Sequence, residues 1–288
     1  MGSSPAETTP STLSRQHVDR RLFAYGTTER IASARGAQNE ARSGAFAQLA
    51  LLLGVIIGML ACAALVPLAS SIVSLLGAGP EATSHGIRYL TIAAFGLPAV
   101  VVMVAAQGVL RGHADYRRPF VVLMASNILN AVIEIPLVFW ADLSITGSAV
   151  STVIAQYVGA IWLVIIAKPH LQLGRRFSVQ SAIVRDLLRV GSDLGVRVFS
   201  MLAIFTASTV LAARSGDAVL AAHQIVNGTF LLLALCLDAI SIPAHTLLGE
   251  SRGSGHLELQ RRVSSRVYFW SGVLGVALAI IIFASANV

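Results

Sequence analysis

The sequence predicts an all-α integral membrane protein with seven transmembrane helices, and three observations predict it. Of 288 residues, 55% are hydrophobic and only 12% are charged, about half the share usual in soluble proteins; the mean hydropathy is +0.74. Residues 43–80, 89–110, 143–167, 218–237 and 267–288 contain no Asp, Glu, Lys or Arg, and each is long enough to cross a hydrocarbon layer of ~30 Å, which takes about 20 helical residues. The basic residues, finally, fall on alternate connections between these stretches.

Allowing one or two charges within otherwise apolar runs, spans are expected at 45–67, 87–110, 119–140, 144–167, 188–212, 218–248 and 266–286. Residues 1–21 are rich in Ser, Thr and Pro and lack the apolar core of a signal peptide, so they form a polar head expected to be disordered. Residues 22–42 read as the end of a truncated helix followed by a basic connection. The first four spans, 43–167, make one lobe, 168–187 link it to the next, and 188–288 supply three spans of a second lobe. Pro98, Pro136 and Pro243 are expected bends. Gly54/Gly58, Gly108/Gly112 and Gly191/Gly195 have the small-xxx-small spacing of close helix packing.

Orientation follows from the arginines. Eighteen of the 21 Lys and Arg lie before the first span or after the second, fourth and sixth, against Arg88 and Arg214 on the other side and Arg197 inside a span. Lipid-facing helices retain basic loops in the cytoplasm, which places the amino terminus there. One missed or invented span would move half of the basic loops to the wrong side. The net charge of +7 is thereby a matter of topology. Nucleic acid is not an expected partner, because the basic residues are not interleaved with aromatics on one face. Cys62 and Cys236 sit in apolar stretches and offer neither a disulfide framework nor metal-ligand spacing. No nucleotide loop, paired catalytic carboxylates or nucleophile triad is present, so no enzyme is expected.

The chain also repeats. A shift of 217 residues lays Arg35-Gly36 on Arg252-Gly253 and Gly58 on Gly275, and in both copies a basic connection leads into an apolar span. If the repeat is real, the fifth and sixth spans lack counterparts before the first copy, and three further spans are expected after the seventh. A parent of roughly 430–450 residues with twelve spans follows.

Three stretches carry a resemblance: QGVLRGHADYRRPF (Gln107 to Phe120), NILNAVIEIP (Asn127 to Pro136) and GSAVSTVIAQ (Gly147 to Gln156). Together with GTTERIASARGAQ, LAAHQI and LCLDAI they resemble the multidrug and toxic compound extrusion (MATE) family, closest to its DinF-like branch. The resemblance implies helices 3 to 9 of a twelve-helix, two-lobe MATE/MOP-type bundle, and an inner-membrane antiporter in a bacterium, monomeric when full length. Such a carrier exports organic cations or amphiphiles in exchange for protons or sodium and needs no other cofactor; its partners are the bilayer and a small organic substrate.

Glu134, Asn130 and Asn127 share one face of the third span, with Glu134 about 24 Å from the cytoplasmic edge. A carboxylate at depth is costly and faces a cavity or a partner. By the resemblance, Asn130 and Glu134 match the Asn and Asp pair of proton-coupled MATE proteins, and Gln107 and Thr152 are the neighbouring polar groups. The alternative is a Glu reaching the outer headgroups with Asn side chains bonding between helices. Asp193 and Arg197 are an i, i+4 pair on the fifth span, and Asp238 on the sixth reaches a similar depth, which suggests a cluster sharing Arg197 that serves either a cation or the architecture. Gln224 and Asn227, with His223, lie near the outer end of the sixth span and are further candidates for a substrate cavity; His223 reads more simply as a hydrogen-bonded packing residue.

Three competing functions remain. A lipid-linked precursor flippase of the same superfamily needs a more cationic cavity than Glu134, Asp193 and Asp238 against Arg197 provide. A seven-helix photoreceptor needs an intramembrane Lys, and the only lysine, Lys168, ends a helix. The third is a fragment that does not transport.

Overall fold

The computed structural model describes residues 26–75, 80–141, 143–172 and 181–285. The polar head 1–21, and Arg175 and Arg176 of the expected link, lie outside the described residues. All regular elements among the described residues are helical: α1 (Gly26–Gly36), α2 (Glu40–Leu75), α3 (Pro80–Ala94), α4 (Leu97–Gly112), α5 (Arg117–Phe139), α6 (Ser144–Ala167), a 3-10 turn (Lys168–Leu171), α7 (Ser181–Arg214), α8 (Asp217–Gly253) and α9 (Leu257–Ser285). Six of these helices are individually long and apolar enough to span a bilayer, and α3 with α4, joined at a 45° bend, make a seventh when counted as one broken span.

The bend expected at Pro98 in the second span falls two to three residues earlier, at Phe95-Gly96, because a proline is well tolerated at the start of a helix but not within one. The Phe95 carbonyl freed there accepts a hydrogen bond from the Tyr157 hydroxyl at 3.0 Å. Gly58 makes room for the same corner, since a Cβ on it would lie 2.5 Å from Pro98 Cα. Pro136 and Pro243 remain inside continuous helices.

Several helices outrun their apolar spans on the arginine-bearing side. α7 starts at Ser181 and α9 at Leu257, where spans are expected from 188 and 266, and α8 continues to Gly253 rather than 248. The extra turns carry Arg and Glu, good helix formers, and Arg185, Glu258, Arg261 and Arg262 are exposed there.

The core lies in the first half of the chain. Ile31, Phe46, Val109, Leu110, Val122 and Leu163 are each at most 2% exposed, and they draw α1, α2, α4, α5 and α6 together. Gly54 and Gly58 let α2 approach α4, and Gly108 and Gly112 let α4 approach α1, with Ile31 Cβ 2.8 Å from a Cβ placed on Gly112. The third expected pair behaves differently: Gly191 and Gly195 have nothing within 4 Å among the described residues, so α7 does not use them for close packing here. α7, α8 and α9 present apolar surface instead of burying it; Phe199, Ile225, Leu232, Phe269 and Ile280 are all more than half exposed to the surroundings. In a bilayer those faces meet hydrocarbon, which is as apolar as a protein core.

The 217-residue repeat reappears in three dimensions. α1 ends at Gly36 and α8 at Gly253, while α2 begins at Glu40 and α9 at Leu257, so both helix ends and both helix starts are 217 apart. The turns between them share three bonds: Ala37 N donates to Ser33 O and Ser254 N to Glu250 O, each at 3.0 Å, Gln38 N and Gly255 N donate to Arg35 O and Arg252 O, and Ser43 N and Gln260 N donate to Asn39 O and His256 O. Gln38 (φ 55°) and Gly255 (φ 73°) occupy the same left-handed position. Two segments that fold into the same helix–turn–helix at one fixed offset form an internal repeat.

Candidate functional site

The polar residues inside the helices gather at two depths. The first group lies between α5 and α6, which run antiparallel across a short connection. Asn130, about 20 Å into α5 from Arg117 at 1.5 Å per residue, stands within 3.2 Å of both the Ser151 and the Thr152 hydroxyls of α6. On its other side, one turn along α5, is Glu134, whose Oε2 is 3.3 Å from the Asn130 amide. Glu134 and Thr152 are half-buried and Ser151 is fully buried.

One orientation of the Asn130 amide satisfies this geometry. Nδ2 donates to Glu134 Oε2 at 3.3 Å, and Oδ1 accepts from the Thr152 N–H at 3.0 Å and from the Ser151 and Thr152 hydroxyls at 3.2 Å. Turned the other way, Nδ2 would meet the Thr152 N–H, donor against donor, and Oδ1 would face the carboxyl oxygen.

Of the other residues expected there, Gln107 and Asn127 lie elsewhere. Gln107 Oε1 accepts from Arg111 Nη2 at 2.9 Å, and Gln107 is only about 8 Å from the arginine-bearing end of α4, well short of the Asn130 level. Asn127 is exposed and donates to Leu123 O of its own helix. Ser151 was not among the residues singled out from the sequence. Its signal is the adjacent hydroxyl pair Ser151-Thr152, half a helical repeat from the fully apolar face of α6.

The second group lies where α1 crosses the end of α8. Ala32 Cβ would be 3.0 Å from a Cβ on Gly249, and one turn further each helix places a glycine against the other's backbone: Gly36 against the Glu250 carbonyl, Gly253 against the Ser33 carbonyl. These contacts are reciprocal under the 217-residue offset, which brings Ala32 onto Gly249, Ser33 onto Glu250 and Gly36 onto Gly253. Glu29, only 7% exposed, forms an ion pair with Arg252 across the crossing. Thr246 Oγ1 donates to the Arg111 carbonyl at 3.0 Å, and Arg35 Nη1 donates to the Gly112 carbonyl at 3.1 Å. Both bonds tie the α1–α8 crossing to the end of α4. Beside them, burial lowers the pKa of His113 below its ordinary 6.5, and the ring stacks on His170 with centroids 3.9 Å apart.

Asp238 lies within Coulombic reach of Arg111 on α4 and of His245 on its own helix, partners that sequence reading did not foresee. Asp193 and Arg197 are exposed on α7 and Gln224 on α8. His223 Nε2 lies 2.9 Å from Asn227 Nδ2 and 3.3 Å from Thr209 Oγ1 of α7, so it joins the two helices as a hydrogen-bonded packing residue. No group of three or more His, Cys, Asp or Glu able to hold a metal ion occurs among the described residues.

Comparison with known proteins points one way. The MatE family model matches residues 22–135 and 194–288. Protein DETOXIFICATION 44, chloroplastic, of Arabidopsis thaliana is 34% identical over 203 residues, covering 68% of this chain and 37% of that protein. DNA damage-inducible protein F of Escherichia coli is 26% identical, covering 90% of this chain and 58% of its own length. The chain thus spans between about a third and three fifths of these relatives. Among solved structures, the crystal structure of MATE in the bent conformation superposes with a TM-score of 0.80 at 21% identity, covering 91% of this chain and 60% of that one.

Proposed function

This chain belongs to the MATE family of membrane transporters, and from that premise we propose that it forms part of a secondary active antiporter exporting organic cations or amphiphiles in exchange for protons, with Glu134 as the proton carrier. Multidrug resistance is in the printed name of another relative, the probable NorM protein of Thermotoga maritima, 28% identical over 274 residues. One observation supports the coupling: the Asn130 amide donates to Glu134 and accepts from the Ser151 and Thr152 hydroxyls, which holds a half-buried carboxyl against α6 deep in the helix pair. A carboxyl at that depth is costly, and residues that carry such a cost commonly mark ion or proton pathways.

The α1–α8 crossing supplies the second half of an exchange cycle. It seals the arginine-bearing side by backbone contact and one ion pair, whereas Asn130 and Glu134 lie beyond it, deeper in the membrane. Counter-transport follows if proton binding at Glu134 and opening of that seal exclude each other. By the positive-inside rule the sealed side is the cytoplasm, and the bacterial relatives support a bacterial plasma membrane as the location. The antiporter uses the proton as its coupling ion and no resident cofactor.

The test uses the whole chain in proteoliposomes loaded with ethidium, a fluorescent organic cation. An imposed proton gradient is expected to drive ethidium movement, and a sodium gradient alone is not. Glu134→Gln abolishes the proton-driven component. Proton-driven movement unchanged in that variant would remove Glu134 from the mechanism, and movement driven by sodium alone would replace the proton as coupling ion.

A further inference from the structure

We propose that the groove between the arginine-bearing ends of α5 and α6 is a binding site for an anionic phospholipid. The groove encloses about 520 Å³ and is lined by Arg117 and Arg118 at its mouth and by Val121, Trp162, Ile165 and Ile166 along its length. Val121 is nine residues from Asn130, which at 100° per residue puts it on the opposite side of α5; Ile165, thirteen residues from Thr152, is likewise turned away from the polar cluster on α6. The groove therefore opens to lipid and not to the site of Asn130 and Glu134. Val121 is 46% exposed, Trp162 42% and Ile165 62%, so no element of the described chain fills it.

Charge and shape together select the occupant. Arg118 lies 3.5 Å from Asp115 Oδ2, yet its side chain remains 63% exposed. Arg117 is exposed beside it, and Lys168 is exposed at the facing end of α6. The mouth is therefore cationic, the trough below it apolar, and Trp162 is of the type that settles at headgroup level. A phosphate on the arginines with an acyl chain along Val121 and Ile165 satisfies both halves at once. A zwitterionic lipid would bring a second cation to the arginines, and a packed helix would leave them uncompensated.

Trp140 and Trp270 are replaced by Phe so that Trp162 is the sole tryptophan of the full chain, which is then reconstituted in phosphatidylcholine vesicles. Bromine-labelled phosphatidylglycerol or bromine-labelled phosphatidylcholine is added to both leaflets at equal mole fraction, which makes the result independent of insertion direction and of transport. Brominated phosphatidylglycerol is expected to quench Trp162 at least about twofold more strongly. Arg117→Gln/Arg118→Gln removes the preference, and Arg117→Lys/Arg118→Lys retains it. Equal quenching by the two lipids in the parent protein overturns the proposal without recourse to a variant, as does a preference that survives the Gln pair. Quenching by neither lipid assigns the groove to protein, and inorganic phosphate that erases the preference assigns the arginines to a free anion; either result also overturns it.

Discussion

Glu29 and Arg252 show how much can hang on two side chains 223 positions apart. Their ion pair closes the α1–α8 crossing with Glu29 nearly buried and Arg252 about a quarter exposed. Removing one partner of a buried pair leaves the other charge without compensation, which costs about 3–5 kcal/mol, toward the lower figure where one partner keeps some solvent. Glu29→Gln and Arg252→Gln are each expected to lower the unfolding temperature of the chain in detergent, and the exchange Glu29→Arg/Arg252→Glu to recover most of the loss. A double exchange no better than the single variants would show that the pair contributes through neighbours and not through mutual attraction. Glu134 and Asn130 are the contrasting case. They were legible from spacing alone, because two polar residues four apart on an apolar helix must share a face. Glu29 was not legible, since nothing in GTTERIASARG announces a partner on a helix two hundred residues away.

At the scale of elements, the crossing of α1 with α8 rests on glycine. A side chain on Gly253 would run into the Ser33 carbonyl, and one on Gly36 into the Glu250 carbonyl; a carbonyl in a helix cannot step aside as a flexible side chain can. Gly253→Leu is expected to force the helices apart at a cost of about 1–3 kcal/mol or more and to cut the yield of folded protein in membranes. The same change at Gly195, which has open space around it, serves as the control and should leave the yield unaltered; since Leu is the better helix former, equal losses at both positions would mean that added bulk, and not the crossing, sets the effect. The broken second span teaches a related lesson. Hydropathy reads 87–110 as one run because composition does not register direction, while the corner at Gly96 depends on what α2 and α6 place beside it.

The whole molecule is arranged about its arginines. If the positive-inside reading holds, the turns at 37–39 and 254–256 both face the cytoplasm. With Cys62 and Cys236 changed to Ala, Ser254→Cys in the exposed second turn should react with a membrane-impermeant maleimide only after the cells are permeabilised. Reaction in intact cells would invert the topology and place Glu134 near the opposite surface. The sequence by itself determined the number of spans, the side on which the basic loops gather and the existence of a repeat, because lipid imposes a minimum apolar length and penalises every buried charge wherever it occurs along the chain. Only the tertiary structure decided which polar groups meet. The bond between Asn130 and the Ser151-Thr152 pair, the Glu29–Arg252 bridge and the interlocked glycines depend on helix rotation and crossing, which are fixed by side-chain packing between segments remote in sequence.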